Sequence, residues 1–131
     1  MSEQAFLPLA IAVLTVSDTR TEADDASGRI LVERLTAAGH HLANRAIVAD
    51  DIYRIRATVS AWIADPAVQV ILITGGTGVT GRDSTPEALR PLLDKELEGF
   101  GELFRMLSWE EIGTSTLQSR ALGGLANATF I

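Results

Sequence analysis

The 131-residue chain contains no cysteine. Disulfides, thiolate metal sites and cysteine nucleophiles are therefore excluded, and the absence suits a cytoplasmic protein. Positive charge is also in short supply: 11 Lys and Arg stand against 17 Asp and Glu, a formal net charge of -6. A general nucleic-acid binder needs a basic face, and none is visible, so nucleic acid is not an expected partner. Any anionic ligand must instead be held by a local device such as backbone N–H groups, one or two arginines or a metal. No apolar run exceeds the length of a strand, which argues against a membrane span. Met1 to Pro8 lacks a basic segment followed by a long apolar stretch, so no signal peptide is expected. Internal repeats and low-complexity linkers are missing too.

What is present describes a folded chain of one domain, with 47% hydrophobic and 21% charged residues. Leu7 to Val16 is nearly all apolar and rich in β-branched residues, as in a strand buried on both faces. Ser27 is positioned to cap a helix over Gly28 to Ala38, with Ile30, Leu31, Leu35 and Ala38 at helical spacing and Gly39 as its stop. Leu42 to Val48 gives a second strand. Asp50 or Asp51 caps a second helix that runs to about Ala64, and Asp65-Pro66 closes it. Val68 to Thr74 is the clearest strand. After the glycine-rich stretch Gly75 to Gly81, Thr85-Pro86-Glu87 reads as a helix start, with Thr85 as cap and the helix reaching about Leu93. Leu97 to Ile112 carries turn and helix signals, Leu117 to Leu122 suggests a short helix broken by Gly123-Gly124, and Ala128 to Ile131 looks like the start of a further strand. The alternation β-α-β-α-β-α implies parallel strands joined by right-handed crossovers, hence a three-layer α/β/α domain with a mostly parallel sheet.

In such a sheet, ligands bind beyond the carboxyl ends of the strands. Three polar segments fall there: Ser17-Asp18, Asp50-Asp51 and Gly75 to Asp83. Gly75, Gly76 and Gly78 lack a Cβ, so the backbone can take positive φ and approach a ligand closely. Successive N–H groups in such a loop can form an anion-binding nest. A loose G-x-G-x-x-G exists at Gly76, Gly78 and Gly81, but it lacks an immediate helix and follows the third strand. Gly76 and Gly81 also match the glycine spacing of a Walker loop, yet Arg82-Asp83 stands where Lys-Ser/Thr is required. Both patterns are rejected; a plain strand-to-helix turn stays open as the alternative. Asp83 either helps to cap the helix near Thr85 or coordinates a phosphate-bridging magnesium ion, which needs hard oxygen ligands. One of Asp50 and Asp51 is a helix cap, and its neighbour can face the ligand rim. Ser17 and Asp18 bind a ligand or form a turn. Arg82, Arg105 and Arg120 contact phosphate or are solvated charges. His40 and His41 have no partner at metal-ligand spacing, and Trp62 and Trp109 read as packing or interface residues.

Taken together, Leu14 to Arg20 (LTVSDTR), Asp25 to Gly28 (DASG), Ala49 to Asp51 (ADD), Thr74 to Gly78 (TGGTG), Arg82 to Ala88 (RDSTPEA), Gly99 to Arg105 (GFGELFR) and Ser119 to Ala121 (SRA) resemble the MoaB/Mog family of molybdenum-cofactor biosynthesis. The resemblance runs from about Ile11 to the end. It implies a Rossmann-like, molybdopterin-binding domain that assembles as a homotrimer or homohexamer. It also implies an enzymatic reaction, adenylylation of molybdopterin by Mg-ATP, with Mg2+ as cofactor, ATP and molybdopterin as substrates, and other molybdenum-cofactor biosynthesis proteins as partners. Residue by residue, it assigns Asp83 and Asp50 to catalysis and magnesium. Gly75, Gly76, Thr77 and Gly78 become the ligand loop, with Arg82 beside it. Ser17 and Asp18 are assigned to the polar end of the first strand, and Ser119 and Arg120 to the pterin side. Two departures stand out. Ala49 replaces the proline usual before Asp50. Relatives also continue past the last strand into a Leu-Pro-Gly-Ser-type loop, so the domain is expected to include a further C-terminal segment. Three readings remain: a molybdopterin adenylyltransferase, a non-catalytic molybdopterin-binding or scaffold paralogue, and a structural oligomer with a vestigial pocket.

Overall fold

A computed structural model of the chain describes residues 6–19, 21–75, 84–103, 106, 120, 122–127 and 129–131. At its centre lies β1 (Ala10–Val16), paired in parallel with β2 (His41–Val48) on one side and β3 (Val70–Thr74) on the other. The sheet continues through β6 (Thr129–Phe130), β5 (Gly124–Ala126) and β4 (Lys95–Glu96), in the order β2-β1-β3-β6-β5-β4. Pairing is parallel from β2 as far as β6 and antiparallel from β6 through β5 to β4.

Side chains alternate across a strand, and in β1 both faces are covered. Ala12, Leu14 and Val16 pack with Ile55, Val59 and Trp62 of α2 (Ile52–Ala64) and with Ala88 and Leu89 of α3 (Thr85–Leu89). Ile11 and Val13 point the other way, against Leu35 of α1 (Ala26–Ala37). This two-sided burial is why β1 is a continuous apolar run in the sequence. Full burial of Leu14 and Ile55 stabilises the fold by about 2 kcal/mol each.

Several boundaries differ from the sequence-based expectations. β1 begins at Ala10, because Leu7 and Pro8 have no sheet partner and are exposed. The cap of α1 is Asp25 rather than Ser27: its carboxylate accepts from the Gly28 N–H at 3.0 Å. Ser84, not Thr85, stands at the cap position of α3; Thr85 is the first helical residue and is buried. That helix is also short, passing into a 3-10 turn at Arg90–Leu92. Gly124 opens β5, where a Cβ would sit 2.7 Å from both Leu93 Cδ1 and the Lys95 carbonyl oxygen. Residues 98–103 are helical, whereas most of the helix expected at Leu117 to Leu122 lies outside the described residues.

Candidate functional site

The parallel register brings the ends of β1, β2 and β3 to one rim: Val16 lies opposite Val48, and Thr15 opposite Thr74. The next residue after each strand therefore emerges at the same edge of the sheet. Ser17 extends the pairing by one bond, its N–H donating to the Val48 carbonyl at 2.9 Å. Gly75 leaves β3 with φ +97, and a Cβ there would lie 2.2 Å from the Val16 carbonyl oxygen. Both the dihedral and the close approach to β1 require glycine at this position.

The paired aspartates after β2 separate cleanly. Asp51 caps α2, accepting from the N–H groups of Tyr53 at 2.9 Å and Arg54 at 3.0 Å. Asp50, half-buried, turns toward the rim. Its N–H donates to Asp18 Oδ1 at 3.0 Å, and its own Oδ1 accepts from the Ser84 N–H at 3.0 Å and the Ser84 hydroxyl at 2.5 Å. Ser84 is the residue directly after Asp83. The neighbouring Thr85 hydroxyl donates to the Gly75 carbonyl at 2.9 Å, so the chain leaves β3 and enters α3 at tied points. Ser17, Asp18, Asp50, Gly75 and Ser84 thus form one hydrogen-bonded edge. Gly76, Thr77, Gly78, Arg82, Asp83, Arg105, Trp109 and Ser119 lie outside the described residues.

A cavity of about 640 Å3 opens beside this edge. Most of its wall is apolar, from β3, Leu89, Leu97 and Phe100, with Ser27, Thr74, Gly75, Thr85 and Arg120 as polar groups. Its size is that of a small-molecule site. Asp50, Asp18 and Ser17 do not line it; the cavity joins the acidic edge through Gly75 and Thr85. Arg120 is brought to the cavity, where its Nη1 pairs with Glu87 Oε1 at 2.5 Å. The hydrogen bond from Arg120 holds the Glu87 carboxyl below its ordinary range despite some desolvation.

A second acidic centre, absent from the candidates drawn from sequence, lies under α1. Asp25 is fully buried. Its Oδ2 accepts from the Thr15 hydroxyl at 2.7 Å and from Arg45 Nη2 at 3.2 Å, while Oδ1 accepts from the Gly28 N–H. Burial pushes its pKa up, but the three hydrogen bonds and the Arg45 charge outweigh that and hold it below the ordinary aspartate value. A Cβ on Gly28 would lie 2.1 Å from Asp25 Oδ2 and 2.7 Å from Thr15 Oγ1 of β1, so the cap folds back over α1 and α1 meets β1 this closely only because residue 28 has none. The sequence signal was the Asp25-x-Ser27-Gly28 run, but its partners come from two other strands. Among the remaining candidates, His40 is structural: its Nδ1 accepts from the Leu9 N–H at 3.0 Å. Trp62 packs in the core.

The donors at the rim are hard oxygens, carboxylates of Asp18 and Asp50 beside a serine hydroxyl. Among the described residues, no cluster of three or more His, Cys, Asp or Glu forms a self-sufficient metal cage. This donor set suits magnesium, which is commonly bound through one or two carboxylates plus substrate phosphates.

Comparisons with known proteins agree with this architecture. Residues 12–130 match the family described as "Probable molybdopterin binding domain". Molybdenum cofactor biosynthesis protein B of Escherichia coli K12 is 63% identical over 126 residues, covering 96% of this chain and 74% of that protein. A crystal structure of a molybdenum cofactor biosynthesis protein B superposes with a TM-score of 0.93 at 48% identity, over 97% of this chain and 80% of the other. The tungsten cofactor synthesizing protein MoaB from Pyrococcus furiosus gives a TM-score of 0.78 at 40% identity, over 93% and 76%. No helix among the described residues is long and apolar enough to cross a membrane.

Proposed function

The chain belongs to the MoaB/Mog family of molybdopterin-binding domains, and from that premise we propose that it acts in molybdenum-cofactor biosynthesis as a molybdopterin adenylyltransferase. In this reaction a phosphate oxygen of molybdopterin attacks the α-phosphorus of ATP. The bond from that phosphorus to the oxygen bridging toward the β-phosphate breaks, and pyrophosphate leaves. Adenylyl-molybdopterin is the product, and no protein nucleophile is needed. Magnesium, when bound, offsets charge on the α-phosphate.

The observation that carries the proposal is the direction of Asp50. Its carboxylate meets Ser84, the residue after Asp83, at the rim where Gly75 leaves β3. Asp50 and Asp83 are assigned the role of metal-holding carboxylates. Ser17, Asp18 and the Gly75, Gly76, Thr77 and Gly78 backbone are assigned to ligand positioning, and Arg82, Ser119 and Arg120 to phosphate and pterin contact. Nucleotidyl transfer by positioning and charge neutralisation needs no more from the protein, by analogy with phosphoryl transfer.

A homotrimer or homohexamer working with other proteins of the pathway completes the proposal.

The test is pyrophosphate release from molybdopterin and Mg-ATP, run beside Asp83→Ala. Turnover that collapses in the variant supports the reading. Equal turnover in both removes Asp83 from the mechanism. Molybdopterin binding without turnover in the parent assigns the chain to a carrier or scaffold role.

A further inference from the structure

We infer that Ser84 is a positioning residue for the Asp50 carboxylate, an inference that rests on the proposed role of Asp50 as a metal ligand. Ser84 occupies the position before α3, where a serine hydroxyl ordinarily accepts from the amides of its own helix. Here it makes no such bond. The hydroxyl donates across the rim to Asp50 Oδ1 at 2.5 Å, and the Ser84 N–H donates to the same oxygen at 3.0 Å. Hydrogen bonds to an ionised acceptor are among the strong ones.

Helix α3 is started by other means. Pro86 in its first turn has a φ already suited to a helix. The Thr85 hydroxyl anchors the same turn to the Gly75 carbonyl. The side chain of Ser84 is therefore released from capping, and its partner is 34 residues away in sequence.

Two donors on one oxygen restrain rotation of the carboxylate, while Asp18 holds the Asp50 backbone through its N–H. The donors among the described residues gather on Oδ1, which orients Oδ2 without occupying it. Metal-binding side chains commonly depend on partners of this kind for their orientation. An aliphatic residue at 84 would keep only the amide bond and leave the carboxylate free to swing.

The experiment is a Mn2+ titration followed by electron paramagnetic resonance, with ATP present and molybdopterin omitted so that no turnover occurs. Thermal unfolding is recorded on the same samples. Ser84→Ala is expected to weaken Mn2+ binding roughly tenfold, with its unfolding midpoint near that of the parent. Ser84→Thr, which keeps the hydroxyl, stays near parent affinity, and adding Ser84→Ala to Asp50→Asn weakens binding no further. Parent-like Mn2+ affinity in Ser84→Ala, with binding lost in Asp50→Asn, overturns the role of Ser84 and leaves Asp50 in place. A lowered unfolding midpoint with unchanged affinity overturns it too, in favour of a structural role. Unchanged Mn2+ binding in Asp50→Asn instead sinks the metal reading of Asp50, and the inference with it. If Ser84→Ala fails to fold, the near-isosteric pair Ser84→Thr and Ser84→Val decides: tight against weak supports the inference, and equal affinities overturn it.

Discussion

Asp25 and Asp50 are both acidic residues held by hydrogen bonds, yet their surroundings give them opposite uses. Asp25 is sealed beneath α1, and donors from β1, β2 and its own helix engage both of its oxygens. Asp50 stands half-open at the rim, and among the described residues both donors to its side chain come from one residue and reach one oxygen. A carboxylate saturated by the fold contributes to stability; one that is oriented but unsaturated can meet a cation from solution. Conformational strain is not what separates the two. The number and direction of donors is.

The largest expected effect tests the sealed side. Asp25→Ala leaves Arg45 and Thr15 without their buried partner and should lower the unfolding free energy by about 3–5 kcal/mol, as broken buried pairs do. Urea denaturation measures this, and a loss under 1 kcal/mol would equate Asp25 with a surface residue. The same carboxylate sets an acid limit. Its native pKa lies below its unfolded value, so its contribution is complete above about pH 3.9 and is lost as the pH falls through the lower native value. Asp25→Asn should therefore have a flatter stability profile in that acid range.

At the rim the expected effect is on turnover. Asp50→Asn should reduce the proposed adenylylation roughly a hundredfold, the scale of losing one preorganised electrostatic group, with little change in unfolding temperature. A variant that loses stability but not rate would erase the contrast with Asp25. Next in size, Gly28→Ala forces a methyl group against Asp25 and should cost about 1–3 kcal/mol, as overpacking does. Thermal unfolding reads the difference. Smallest is Glu87→Gln, which removes the ion pair with Arg120. Both side chains are partly exposed, so solvent screening limits the stability change to below about 1 kcal/mol. A larger drop in a denaturation curve would show that Arg120 holds the cavity wall together.

The sequence made the centre of the sheet readable and left its far edge obscure, for physical reasons. β1 is buried on two faces and β3 carries apolar packing on both, partly open to the cavity, and that packing writes the apolar runs at residues 11–16 and 70–73. The β5–β6 hairpin leaves no such trace. Its turn relies on Asn127 at φ +49 without an Asn-Gly pair, and Gly124 is there for lack of space beside Leu93 and Lys95. Caps went astray where long-range bonds decide them. Ser27 is a good local candidate, but Thr15 and Arg45 fix Asp25, and the link from Ser84 to Asp50 spans 34 residues. What could be read at the rim was its location. Parallel topology sends Ser17, Asp50 and Gly75 to one edge whatever their side chains do; local capping rules leave Asp50 and Asp51 open, the family resemblance points to Asp50, and the contacts of Asp51 with Tyr53 and Arg54 show which of the two is the cap.

The bond between the Thr85 hydroxyl and the Gly75 carbonyl joins two points ten residues apart. Entry to and exit from that interval are consequently stapled side by side. A single side-chain hydroxyl therefore fixes where the chain rejoins the scaffold after leaving β3, so the mouth of the interval is set by α3 as much as by the sheet.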